Sequence, residues 1–165
     1  KMGRKLTWLN GAPDHHLGMF LTVLERTAAV GDVRLAEKVA ASHPEIHAAL
    51  RPAGGEAPPV FRADLTARLD RVAHQLSSLG YDVVRVPLLP SATPRAWMSY
   101  NNGIVETRDG TTVFYMPTFG AKALDAAAAE SFRVQTGCTV VPIDCSKVWH
   151  LGGSLHCLVN VVGRQ

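Results

Sequence analysis

The sequence lacks any apolar run approaching the roughly 20 residues that would span a bilayer, so a helical membrane span is excluded. It also lacks a basic patch. The formal net charge is only +3 and the lysines and arginines are scattered, which leaves nucleic-acid binding without support. No Cys-x-x-Cys occurs, and the three cysteines, Cys138, Cys145 and Cys157, cannot all pair within the chain. Neither a disulfide framework nor a zinc site is implied, and a reducing, cytoplasmic setting is expected. The opening Lys1-Met2-Gly3-Arg4 has no signal-peptide pattern and reads as an arbitrary starting point, compatible with a leader already removed. What is present is 165 residues, 47% hydrophobic and 19% charged, the composition of one core-forming domain.

The pattern of apolar residues recurs. Met19–Leu24 and Thr27–Gly31 read as two strands joined at Glu25-Arg26. A short helix is predicted near Val33–Ala41, then a Pro/Gly-rich loop over Arg51–Pro59. Leu65, Leu69, Val72, Ala73 and Leu76 have helical spacing within Phe61–Leu79; Gly80 ends that helix and Tyr81–Pro87 reads as a strand. The second copy begins at Trp97, with a hairpin of Met98–Glu106 and Thr111–Met116 about Asp109-Gly110. A helix over Lys122–Gln135, closed by Gly137, and a strand over Cys138–Ile143 complete it. The helix-to-strand junctions at Gly80 and Gly137 superpose. The units are hairpin, helix, strand, about 16–90 and 97–145, followed by a final strand about 152–163. Such repeats need neighbours to bury their apolar faces, and two copies leave sheet edges open. The chain therefore reads as part of a larger closed domain.

The chemistry concentrates in Gly152-Gly153-Ser154-Leu155-His156-Cys157. Glycines ahead of a reactive side chain let a ligand approach the backbone closely. A cysteine beside imidazoles can act as a nucleophile; the plainer alternative is a buried core cysteine. Of seven histidines, only His15, His16, His150 and His156 stand in suggestive company; His43, His47 and His74 read as solvated.

Pro13-Asp14-His15-His16-Leu17-Gly18-Met19-Phe20, Met98-Ser99-Tyr100-Asn101-Asn102, Val113–Gly120 and Gly152–Asn160 together resemble the guanidine-modifying enzymes of the pentein superfamily. The agmatine and peptidylarginine deiminase branch is the nearest likeness. The resemblance implies an α/β fold, a partial propeller of ββαβ repeats around a central site. It further implies that N-terminal blades are missing, to be supplied in cis or by a second chain; homo-oligomer formation is also open. By the resemblance, Cys157 is the nucleophile and His16 the general acid and base of a hydrolase acting on C–N bonds, with Gly18, Asn101 and Gly153 at the substrate. The substrate is a small-molecule or peptidyl guanidine, agmatine-like or arginine-like, and neither cofactor nor metal is needed. Amidinotransfer uses the same thiol chemistry, and an acceptor amine would reveal it.

One departure stands out. The family pattern has an aspartate two residues after the histidine, where this chain has Gly18. Loss of that carboxylate would weaken the grip on a guanidinium, and a degenerate, non-catalytic binding module is the competing expectation. Asp14 lies on the wrong side of the histidine, and Asp144 reads as an ordinary turn residue. His15 and His156 are expected to face away from the reacting side. Arg95 or Arg164 could hold a substrate carboxylate, and Trp97 or Trp149 an apolar tail.

Overall fold

A computed structural model describes residues 7–46, 63–90 and 96–160. Strands β1 (Leu21–Leu24) and β2 (Thr27–Asp32) form the expected hairpin, antiparallel from Leu21↔Val30 to Leu24↔Thr27. Helix α1 (Val33–Ser42) follows directly, its first turn capped by Asp32, which accepts from the Arg34 amide at 2.9 Å. Helix α2 (Ala63–Ser78) then returns the chain to β3 (Asp82–Pro90), which lies parallel to β2. The loop expected over Arg51–Pro59 lies outside the described residues, as do His47, Arg95 and Arg164.

A second unit repeats the plan. Strands β5 (Ile104–Arg108) and β6 (Thr111–Thr118) are antiparallel, and helix α3 (Lys122–Thr136) leads to β7 (Thr139–Asp144), parallel to β6. Both helices preceding the returning strands end at a left-handed glycine, Gly80 (φ 87°) and Gly137 (φ 70°), where other residues would be strained. The hairpin, helix, strand repeat read from the sequence is thus present in both units, the first with two helices between β2 and β3 among the described residues.

Two readings need correction. Met98–Glu106 is not one strand. Strand β4 (Trp97–Ser99) pairs with β3 and completes a sheet of order β1-β2-β3-β4, whereas β5 belongs to a separate sheet, β5-β6-β7. The chain turns at Tyr100–Gly103, where Asn102 N–H donates to the Ser99 carbonyl at 3.2 Å. Nor is there a strand at Leu155. Leu155–Leu158 is a single helical turn, α4, because its amide groups are claimed by Asn102 rather than by a neighbouring strand. Residues 161–163 of that expected strand are outside the described residues.

Strand β2 of the first sheet is buried on both faces. Ala28 and Val30 of β2 pack with Leu65, Leu69 and Val72 of α2, whereas the intervening Ala29 faces the other core. That larger core joins the two units through Met98, Tyr100, Phe114, Met116, Phe119 and Phe132.

Tyr100 is the polar point in this core. Its hydroxyl donates to Asp125 Oδ1 at 2.8 Å. Burial, reinforced by the Asp125 charge, holds the phenol well above its ordinary 10.0. The folded state therefore keeps this proton at pH values where the unfolded chain has lost it. Its contribution to stability is complete below the unfolded value and declines as pH rises beyond it. Tyr100→Phe should lower the melting temperature at neutral pH through one lost hydrogen bond, about 1 kcal/mol. Between about pH 9 and about pH 11 the variant's melting temperature should fall less steeply than the parent's. Parallel alkaline slopes in thermal melts would refute this.

Candidate functional site

Three segments converge at the open end of the first unit. His16 directly precedes a short 3₁₀ turn, Leu17–Met19, that leads into β1. The Asn101-Asn102-Gly103 turn joins β4 to β5, and α4 carries Cys157. The turn can press against β6 because Gly103 has no side chain: a Cβ there would run into the Tyr115 carbonyl and the Phe114 ring. Upstream of α4, Trp149 is anchored in the main core and Ser154 is only 1% exposed. The cysteine-bearing turn is therefore anchored at its upstream end while Cys157 itself is exposed.

Asn102 organises the arrangement. It is only 1% exposed, and its Oδ1 accepts from Ser154 N–H at 2.8 Å, Ser154 Oγ at 3.1 Å and Cys157 N–H at 3.4 Å. Its Nδ2 lies 3.2 Å from Cys157 Sγ and 3.4 Å from the Gly18 carbonyl. The Asn102 carbonyl accepts from His156 N–H at 2.9 Å. Sequence reasoning missed this residue as a site group. The signal available was a polar pair before a glycine, which suits an ordinary turn equally well.

His16, Gly153, His156 and Cys157 line one cavity of about 400 Å³, together with Leu151 and Leu158. Gly18 and Asn101 line a second cavity of about 680 Å³ with Leu17, Val23 and Val105, and His156 borders both. His156, expected to face away, thus stands between the two. Gly153 is placed by close approach, since a Cβ there would fall 2.7 Å from Cys157 Cβ and 2.8 Å from Sγ. Asn101 is buried; its Nδ2 donates to the Ala29 carbonyl at 2.8 Å and reaches Thr22 Oγ1 at 3.3 Å, bracing β1 and β2. Trp97 and Trp149 are both core residues, and the His15 ring lies against Trp97 with centroids 4.6 Å apart.

Neither cavity is lined by a carboxylate, an arginine or a lysine among the described residues. Asp14 is paired with Arg68 of α2 at 2.7 Å. Asp144 accepts from the Ser146 amide at 2.9 Å, a local turn that lowers its carboxyl below the usual value. At Gly18 there is room for a side chain: a Cβ would meet Asn102 Nδ2 at 3.6 Å and His156 Nδ1 at 3.9 Å, ordinary contact distances. The other two thiols are buried, and burial pushes the Cys145 thiol up. Among the described residues no three His, Cys, Asp or Glu side chains gather as a metal site, and no helix is long and apolar enough to cross a membrane.

Two ββαβ units with a cysteine turn and a histidine turn meeting at one end define a part of the pentein fold. Solved structures agree. The agmatine deiminase of C. jejuni superposes with a TM-score of 0.51 at 16% identity, covering 91% of this chain and 38% of that one. A Porphyromonas gingivalis protein assigned as an arginine deiminase gives a TM-score of 0.53 at 21% identity, covering 91% and 39%. Identities this low speak for the fold alone, and the chain spans about 38% of the length of the agmatine deiminase. Residues 61–161 match the Porphyromonas-type peptidyl-arginine deiminases, and the chain belongs to that family. No curated protein sequence matches it.

Proposed function

We propose that this chain carries the thiol side of a guanidine deiminase site, with the charged grip on the substrate supplied by another part of the domain. The observation that supports this most is the single cavity lined by His16, Gly153 and Cys157, with the Asn102 amide directed at the sulfur. A guanidinium carbon is a poor electrophile because resonance spreads its charge over three nitrogens. In the proposed sequence the Cys157 thiolate attacks that carbon and forms a C–S bond. His16 in its protonated form gives its proton to the departing nitrogen, and the C–N bond breaks to release ammonia. A covalent thiouronium remains. His16 then takes a proton from water, the hydroxide adds to the same carbon, and the C–S bond breaks to return the thiolate while the hydroxyl proton passes to solvent, leaving the neutral ureido product. Gly153 leaves the approach to sulfur open. The larger cavity, with Gly18 and Asn101 in its walls, is assigned to the chain of an agmatine-like or peptidyl-arginine-like substrate.

The absence of carboxylates from both cavities, among the described residues, leads to the requirement for a further part, in cis or as a second chain. It also favours a second reading, a non-catalytic pentein module that binds without turnover. Assay of ureido product from agmatine, arginine and a peptidyl-arginine, with the chain joined to the rest of its domain, separates the two. A selective reaction of Cys157 with a haloacetamidine over the corresponding haloacetamide is expected for the deiminase. No product together with equal reaction would leave the binding module.

Gly18→Asp tests whether the missing carboxylate limits the site. The contacts at Gly18 admit the new side chain, and one charge-assisted bond to a cation corresponds to roughly 10- to 100-fold in kcat/KM. The completed protein should gain activity by that factor, with its melting temperature nearly unchanged. An unaltered kcat/KM would count against impairment at this position.

A further inference from the structure

We infer that Asn102 is the positioning residue of the cysteine turn: its side-chain amide holds Cys157 Sγ as a hydrogen-bond acceptor and ties the histidine turn to it. This rests on the thiol-site reading above. The orientation of the amide follows from its partners. Two backbone N–H groups, from Ser154 and Cys157, converge on one end of it, so that end must be the oxygen. The NH₂ is then left facing two acceptors, Cys157 Sγ and the Gly18 carbonyl. A reversed amide would set donors against donors at one end and acceptors against acceptors at the other.

A thiol is a weak acceptor and a thiolate a strong one, so a fixed donor at 3.2 Å acts preferentially on the charged form. The groups facing Cys157 in its cavity include His16 from the 3₁₀ turn and His156 from α4, with no carboxylate, arginine or lysine among the described residues. The amide is therefore a permanent donor that does not titrate. Because the same NH₂ reaches the Gly18 carbonyl, two residues beyond His16, it joins the acid–base turn to the nucleophile turn.

The test is the pH dependence of Cys157 alkylation by iodoacetamide in the full chain, read by peptide mapping with buried Cys138 and Cys145 as internal references. Asn102→Asp keeps the shape and an acceptor for the Ser154 and Cys157 amides but replaces the donor at sulfur by a negative oxygen. Alkylation at pH 7 should fall by about tenfold or more, and the rate profile should move to higher pH while the circular dichroism stays that of the parent. An unmoved profile in a folded variant overturns the inference. If Asn102→Asp does not fold, the parent decides: the Asn102 side-chain amide resonances should shift with the midpoint of the alkylation profile, and resonances indifferent to that midpoint overturn it. A parent in which Cys157 reacts no faster than Cys138 and Cys145 would overturn the thiol-site reading itself, a result distinct from either.

Discussion

Cys157→Ala should yield a folded protein that forms no measurable ureido product. The side chain is exposed and hydrogen-bonded to the Asn102 amide, so its removal should change stability by less than about 0.5 kcal/mol. In the proposed reaction, by contrast, no other atom can form the covalent intermediate. Cys138 and Cys145 are buried and line neither cavity. Loss of a nucleophile costs on the order of 10⁴-fold or more in turnover. The measurement is ureido product from the completed protein, with a thermal melt of the same sample. Turnover retained within about a hundredfold of the parent would remove Cys157 from the mechanism.

The second large effect should come from a single methyl group. In Gly153→Ala the new Cβ would sit 2.7 Å from Cys157 Cβ and 2.8 Å from Sγ, well inside van der Waals contact. Rotation of the cysteine side chain can move Sγ but not Cβ, so the turn itself must shift at Cys157, and the contact of the thiol with Asn102 is lost. A displacement of about 1 Å at a reacting atom can cost on the order of a hundredfold in rate. The expected result is therefore a drop of that size in both ureido formation and alkylation. The melting temperature should change little, because neither Gly153 nor Cys157 belongs to either core. Parent-like alkylation by Gly153→Ala would mean that the turn relaxes and that Gly153 does not set the position of the sulfur. The two variants also differ in kind: Cys157→Ala removes chemistry that small thiols cannot restore in place, while Gly153→Ala leaves a thiol that still reacts slowly.

The regular elements were readable because their signals are local. Leu65, Leu69, Val72 and Leu76 repeat at helical spacing and all are buried against one sheet face. Thr27–Gly31 reads as a strand, and its burial on both faces comes from helices on either side. Gly80 and Gly137 mark helix ends through their own backbone freedom, which needs no partner. The two misread segments have the opposite character. Tyr100–Gly103 interrupts an apolar stretch because Asn102 turns its side chain toward a loop 52 residues away. Leu155–Leu158 has a strand-like composition, but its amides find a side-chain acceptor and a carbonyl of Asn102 instead of a neighbouring strand. Pattern counting has no access to such a partner.

The sequence by itself determined the succession of ββαβ units and the residue types that make a pentein thiol site recognisable, since periodicity and turn chemistry act between neighbours along the chain. Only the tertiary structure decided that Asn102 faces Cys157, that Asp14 and Asp144 are engaged elsewhere, and that both cavities lack a carboxylate among the described residues. Those facts depend on where long-range packing brings distant side chains, and a hydrogen bond or an ion pair is specified by distance in space rather than by separation along the chain.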